Sequence, residues 1–365
     1  MTDQTTLLPE LPPALRQLLS AFDNRQPAAL ARAVSIVENH RRGFEALMGS
    51  LHSRQGHARR IGITGPPGAG KSTLTALLAE AYREAGLTVG IVAVDPTSPF
   101  TGGALLGDRI RMERVVLDPG IFIRSLATRG SLGGLSRATR EVSDVMDAFG
   151  FDRILIETVG VGQSELDVAR TADTTLVVLV PESGDSIQTL KAGLMEIADL
   201  FVVNKADRPG ADRLRSDIEV MLGIRSGSSV DASAHHGVDT KRLLNPARAA
   251  REAAAAVDSE RWTPPVLRTI AAEGQGLDEL ISALDRHHDY LAGSGELRER
   301  RLTRLRERVV ETVEYRVQRR LWGDTTTNAW LDAQLPALER GELTPFAVAD
   351  ELLSRSSDLL TRTDP

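Results

Sequence analysis

The stretch Gly65-Pro66-Pro67-Gly68-Ala69-Gly70-Lys71-Ser72, continued by Thr73, stands directly behind the apolar run Ile61-Gly62-Ile63-Thr64. It satisfies G-x-x-x-x-G-K-[ST] at every fixed position. In that pattern the glycines let the backbone wrap phosphate oxygens and turn successive N–H groups toward them at a helix N-terminus. Lys71 is then placed to reach the β- and γ-phosphates, and the Ser72 hydroxyl to ligate Mg²⁺. Leu74, Leu77, Leu78 and Tyr82 follow at helical spacing, so strand, loop and helix come in the order that phosphate cradling needs.

Composition limits what else the chain can be. The 365 residues are 41% hydrophobic and 26% charged, ordinary for a globular protein with ample core. A formal net charge of −6 gives no global electrostatic reason to expect nucleic-acid binding, so a phosphate ligand must be held by local geometry. The absence of cysteine excludes disulfides, thiolate metal sites and thiol catalysis. Met1-Thr2-Asp3-Gln4 carries no basic n-region, and no apolar run reaches the length of a membrane span; a cytoplasmic location, without membrane association, is expected. Of 44 basic residues only Lys71, Lys191, Lys205 and Lys241 are lysines. Two of these fall in nucleotide motifs, where a compact ammonium is not interchangeable with a planar guanidinium.

Residues 1–57 hold no strand-like run. Leu15, Leu18 and Leu19, then Leu30, Val34 and Val37, recur at helical spacing, which predicts a helical extension packed against the main domain. From Arg60 onward short apolar runs alternate with helical segments: Ile61–Thr64, Val89–Val94, Ile121–Ser125, Ile154–Ile156, Leu176–Val180, Leu200–Val203 and Val266–Ile270. This is the pattern of an α/β P-loop NTPase fold, a mostly parallel sheet flanked by helices, over residues 58–284. Ligands of such sheets bind at the carboxyl ends of the strands, and each motif below follows one of these runs.

The second run ends at Asp95, and Asp108 closes the Gly-rich segment after it. Carboxylates at strand ends facing a triphosphate are natural partners of Mg²⁺ or its waters. The fourth run ends in Glu157, with Gly160 three positions on, the spacing at which one residue holds a metal-bound water and the other offers its N–H to the γ-phosphate. Glutamate in place of aspartate departs from the small GTPases. Gln163 lies three residues beyond Gly160 and is given no role. Expected metal ligands are therefore Ser72, Asp95, Asp108 and Glu157, and expected catalytic residues Lys71, Asp108 and Glu157.

After the sixth run comes Asn204-Lys205-Ala206-Asp207, an N-K-x-D pattern. A carboxylate at Asp207 accepts from both N1–H and the 2-amino group of guanine, which adenine lacks; the Asn204 side chain braces the site and the Lys205 stem covers the purine face. The pattern selects GTP and GDP over adenine nucleotides. The last run leads into Ala271, a candidate backbone contact to the guanine carbonyl; Ile270-Ala271 stands where GTPases often carry Ser-Ala. The loop Pro181 to Lys191 fits two readings, a nucleotide-sensing switch or a plain helix-entry loop.

Residues 285–365 form a helical region. Leu302, Leu305, Val309, Val313, Val317 and Leu321 step by three and four through Glu296–Trp322, predicting a long amphipathic helix, with another over Thr344–Leu360. That stripe needs a partner within the chain or in a second subunit, and a dimerisation arm is expected. The pairs His235-His236 and His287-His288 read as solvated surface histidines.

With the phosphate loop, Asp95-Pro96-Thr97-Ser98-Pro99, Arg129-Gly130-Ser131-Leu132-Gly133-Gly134, Glu157-Thr158-Val159-Gly160-Val161-Gly162-Gln163 and Asn204-Lys205-Ala206-Asp207 in order, the chain closely resembles the MeaB/ArgK/MMAA family from about residue 30 to 290. The resemblance implies a GTPase that acts as a chaperone of an adenosylcobalamin-dependent acyl-CoA mutase of the methylmalonyl-CoA mutase type. It also implies gating of cofactor loading, protection or rescue of the mutase, a homodimer formed through the C-terminal helices, and a mobile loop around Lys191 that relays nucleotide state. Three alternatives stand beside it. One is a nickel-insertion GTPase, which typically needs Cys/His ligands missing here. The others are a kinase for a transport protein and a non-hydrolysing GTP-dependent scaffold.

Overall fold

The computed structural model describes residues 11–95, 113–127, 134–158, 167–181, 193–225 and 262–356. Asp108, Gly160, Gln163, Lys191 and the pair His235-His236 lie outside the described residues, as does the side chain of Asp95. Seven strands form one sheet: β1 (Arg59–Thr64), β2 (Val89–Asp95), β3 (Ile121–Ala127), β4 (Arg153–Thr158), β5 (Thr174–Leu179), β6 (Leu200–Asn204) and β7 (Val266–Thr269). Their order is β3-β2-β4-β1-β5-β6-β7, and every neighbouring pair is parallel. All seven expected runs are strands, with ends displaced by a residue or two. Strands buried on both faces read as unbroken apolar runs, which is why they stand out in the sequence.

The strands alternate their side chains between the two faces of the sheet. Ile61, Ile63, Ile91, Leu155, Leu176, Val178, Leu200 and Val202 point to one face. There they meet Leu74 and Leu78 of α4 (Lys71–Glu84) and a helix spanning Leu277–Ser294 that supplies Leu280, Ala283 and Leu284. On the other face, Val92, Val94, Ile154 and Ile156 are covered by Val142, Val145 and Met146 of α5 (Gly134–Phe149). Further along the sheet, Val177, Phe201 and Val203 pack with Leu214 and Ile218 of α6 (Ala211–Arg225). The helices α1 (Pro13–Asp23), α2 (Pro27–Glu38) and α3 (Phe44–Leu51) belong to the same cluster as α5. Leu30, Ala33, Val34, Val37, Leu47 and Leu51 are all essentially inaccessible. Phe22 meets Phe149 edge-on at 4.9 Å between ring centroids. The N-terminal extension packs against the main domain as expected, and it does so as a full layer of its core.

One buried ionic cluster fixes the entry to β1. The Asp147 carboxylate, at the end of α5, accepts from the backbone N–H groups of Gly56 (2.8 Å), His57 (3.1 Å) and Ala58 (3.0 Å). It also accepts from the Arg60 guanidinium at 2.9 Å, which sits 2.9 Å from Asp144 as well. Burial alone would lower the Arg60 pKa, but Asp144 and Asp147 outweigh it and drive it above the ordinary arginine value.

The chain divides into two compact units, Met1–Leu297 and Arg298–Pro365. The expected boundary near residue 284 falls inside the helix Leu277–Ser294, here α7, whose Leu284, His287 and Leu291 are all buried. The last strand precedes this helix, but its apolar face still belongs to the sheet. His287 corrects the surface reading of its pair. It is wholly buried, with Nδ1 2.8 Å from the Thr174 hydroxyl, Nε2 3.3 Å from Asp199 and the ring 4.7 Å from Trp262. Only its helical position, ten residues beyond the start of α7, decides that it faces inward.

The second unit is helical: α8 (Glu296–Gly323, its first residues in the first unit), α9 (Thr325–Glu339) and α10 (Pro345–Arg355). Asp324 caps α9 by accepting from Thr327 N–H at 2.9 Å, and Thr344 caps α10 by accepting from Ala347 N–H at 3.2 Å. On α8, Leu302, Leu305, Val309 and Val313 remain exposed. Among the described residues no helix is long and apolar enough to cross a membrane.

Asp147→Ala leaves the Arg60 guanidinium and three backbone N–H groups short of a buried acceptor. An unfolding midpoint in urea is expected to fall by an amount equivalent to about 3–5 kcal/mol, with the far-UV circular dichroism of the folded protein unchanged.

Candidate functional site

Because the sheet is parallel, the carboxyl ends of β1, β4, β5, β6 and β7 lie along one edge. The chain leaves β1 for β2 on one side and later supplies β5 on the other, so β1 is the point where strand order reverses, the place where such sheets hold ligands. The loop Gly65 to Gly70 joins β1 to α4 here. Gly65 has φ +135°, and a Cβ on it would lie 2.0 Å from the Val178 carbonyl oxygen of β5. Gly70 has φ +90°, and a Cβ there would lie 2.3 Å from Asn204 Nδ2. The loop is thus pressed against β5 and β6 with no room for side chains at these two positions.

Lys71 is 5% exposed, and its ammonium donates to the carbonyls of Gly65 (2.7 Å) and Pro66 (2.9 Å), inside the curve of the loop. Its neighbour Ser72 donates from Oγ to Glu157 Oε1 at 2.5 Å. Glu157 is 4% exposed at the end of β4. The residue after it, Thr158, donates to Thr64 Oγ1 at 3.0 Å across the β1–β4 ends. The register pairs Ile63 with Glu157, which sets that carboxylate beside the first turn of α4. Pro66, Pro67, Gly68 and Ala69 complete the loop between β1 and α4, and Thr73 lies in the first turn of α4.

Asn204, the last residue of β6, is 2% exposed and joins three segments. Its Nδ2 donates to the Ala69 carbonyl of the phosphate loop at 2.8 Å. Its Oδ1 accepts from the Thr269 hydroxyl at 3.0 Å and from the Ala271 N–H at 3.1 Å. Lys205 takes the left-handed conformation, φ +56°, and Asp207 is exposed on the turn that follows. Ala271 opens the short helical turn after β7, and its N–H, the group expected to meet the guanine carbonyl, donates to Asn204 in this structure. Sequence reasoning missed Thr269 and the Thr64–Thr158 pair. The missing serine of Ser-Ala falls at Ile270, one position past the residue whose hydroxyl does the bracing.

The seven-stranded parallel sheet, the phosphate loop at its switch point and the N-K-x-D turn beside that loop define a P-loop GTPase. The chain belongs to the family described as methylmalonyl Co-A mutase-associated GTPase MeaB, whose family model matches residues 30–326. It is 41% identical over 339 residues to a protein of Pyrococcus horikoshii that bears a provisional GTPase name, covering 93% of this chain and 97% of that one. To the mouse protein named methylmalonic aciduria type A homolog, mitochondrial, it is 33% identical over 355 residues, covering 92% of this chain and 78% of the relative. Among solved structures it is similar to that of an LAO/AO transport system kinase, with TM-score 0.65 and 27% identity, covering 96% of this chain and all of that one. As a member of this family the chain binds guanine nucleotide and hydrolyses GTP.

Gly70→Ala places a methyl group against Asn204 and strains a left-handed backbone by about 1–2 kcal/mol. GTP affinity, read by titration with a fluorescent GTP analogue, is expected to drop by about a hundredfold, while the melting temperature shifts by only a few degrees.

Proposed function

We propose that this chain is a Mg²⁺-dependent GTPase that serves as a chaperone for an adenosylcobalamin-dependent acyl-CoA mutase, and that nucleotide state gates cofactor loading and protects or reactivates the mutase. Membership of a family described as methylmalonyl Co-A mutase-associated supports the client class. The observation that carries the nucleotide part is the Asn204 side chain, bonded at once to the phosphate loop and to the segment after β7. One residue there ties the strand end that would read a base to the loop that would hold its phosphates.

In this reading Gly65 to Thr73 cradle the phosphates, and Lys71 supplies positive charge where the transferring phosphoryl group develops negative charge. Asp207 reads the N1 and 2-amino edge of guanine, with Lys205 over the purine face. Gly160 offers its N–H to the γ-phosphate. The Ser72 hydroxyl and the Glu157 carboxylate, 2.5 Å apart, are hard oxygen donors of the kind Mg²⁺ takes; with Asp95 and Asp108 they form its proposed ligand and water shell. Bound there, Mg²⁺ would neutralise charge on the β- and γ-phosphates. Glu157 would hold a metal-bound water.

The second unit is proposed as a homodimerisation arm, for which Leu302, Leu305, Val309 and Val313 of α8 provide an apolar row that is exposed among the described residues. A kinase reading draws on the name borne by one similar solved structure, that of an LAO/AO transport system kinase. It replaces the chaperone reading if the label of γ-³²P-GTP accumulates on a protein instead of appearing as free phosphate.

Asp207→Asn exchanges an acceptor for a donor at the guanine edge. GTP affinity is expected to fall by about a hundredfold, the worth of charge-assisted hydrogen bonds, and xanthosine triphosphate, whose edge is complementary, to become the better substrate. Equal turnover of GTP and ATP by the wild type would overturn the guanine assignment. Capture on the immobilised chain with a non-hydrolysable GTP analogue, from the native cell, is expected to recover an acyl-CoA mutase; recovery of none counts against the client.

A further inference from the structure

We propose that Thr64 and Thr158 are a positioning pair for GTP hydrolysis, whose hydroxyl bridge holds the ends of β1 and β4 at the spacing that sets Glu157 against Ser72. The role of Glu157 at the metal is taken from the reading given above. Thr64 is the last residue of β1 and Thr158 the last of β4. Both are buried, 0% and 2% exposed, and the Thr158 hydroxyl donates to Thr64 Oγ1 at 3.0 Å. The pairing of β1 with β4 ends one residue earlier, at Ile63 and Glu157, and Thr64 is paired instead with Val177 of β5. Thr158 in turn is paired with Val94 of β2. The two strand ends are thus held from opposite sides, and the hydroxyl bridge spans the place where the ladder between them stops.

Gly65 opens the phosphate loop directly after Thr64, and Glu157 directly precedes Thr158. Strand side chains alternate, so Glu157 points to the face of α4, where its Oε1 accepts from Ser72 at 2.5 Å, while the two threonines point to the other face, away from Ser72. The hydroxyls therefore act on the site only through the backbone. Their strand neighbours on that face, Gly62, Ile156 and Val94, carry no side-chain hydrogen-bonding group, so the sheet offers no replacement partner beside them. Valine has the same shape and would fill the same space, so packing alone does not call for hydroxyls. Without the bridge the ends of β1 and β4 are free to part, and the distance from Glu157 to Ser72 is no longer fixed from the β4 side. Both are proposed oxygen donors around Mg²⁺, so the loss falls on the metal-dependent step and spares the contacts to the guanine base.

The test uses the full chain with Thr64→Val, Thr158→Val and the double variant, and with Thr158→Ser as the change that keeps the hydroxyl. Each single valine variant is expected to lower kcat for GTP about tenfold, with KM within about twofold of wild type. The Mg²⁺ concentration that half-maximally slows release of a fluorescent GDP analogue should rise about tenfold as well, while release in EDTA keeps the wild-type rate. Thr158→Ser should return every value to within about twofold. The double variant separates positioning from stability. It leaves no unmet hydroxyl, so its unfolding midpoint should return toward wild type, while kcat and the Mg²⁺ dependence stay where the single variants put them. Recovery of kcat together with the midpoint, or wild-type kcat and Mg²⁺ dependence in the single variants, would overturn the proposal. If the single variants do not fold, the double variant carries the same readouts. Wild-type turnover and Mg²⁺ dependence in Glu157→Gln overturn the reading of Glu157 itself, whatever the threonines do.

Discussion

The arrangement depends on the register of one strand. β1 lies between β4 and β5, with Ile63 opposite Glu157 on one side and Thr64 opposite Val177 on the other. Strand side chains alternate faces, so a slip of one residue would exchange the two faces and turn Glu157 away from Ser72. The apolar alternation of β1, Ile61 and Ile63 to one face, therefore fixes more than packing. It sets where the loop begins, which carbonyl of β5 the loop rests on and which carboxylate meets the start of α4.

The second dependence is on backbone proximity. Gly65 against the Val178 carbonyl and Gly70 against Asn204 are contacts that any side chain would break. They hold the loop down on β5 and β6, and Asn204 fastens it to the end of β7. The phosphate loop and the turn after β6 are thereby made parts of one edge. The proposed roles of Lys71, Ser72, Glu157 and Asp207 use that edge without needing a large motion among the described residues.

Much of this is legible in the sequence because its signals are local. Seven runs buried on both faces, a loop with fixed glycines and a four-residue turn each announce themselves without knowledge of their neighbours. What was not legible depends on a partner far along the chain. His287 looks like half of an exposed pair until Thr174 and Asp199 are placed beside it. Thr269 looks like an ordinary strand residue until β7 is set next to β6. The helix Thr325–Glu339 carries three threonines in its first turn and Pro336 near its end, residues of low helix propensity, and it forms with a capping carboxylate at Asp324. The N-terminal helices announce their apolar stripes, but not that the stripes complete a sheet face.

Those N-terminal stripes bear on how the protein is made. The apolar residues of α1 to α3 share their core with α5 and with β2 and β4, and β1 is completed only by β4 and β5. As the chain leaves the ribosome in order, the first helices and the nascent phosphate loop have no finished sheet to rest on until Arg153–Thr158 has emerged. Contacts so distant in sequence close slowly. The segment that later grips the nucleotide is thus among the first to be synthesised and among the last to be seated.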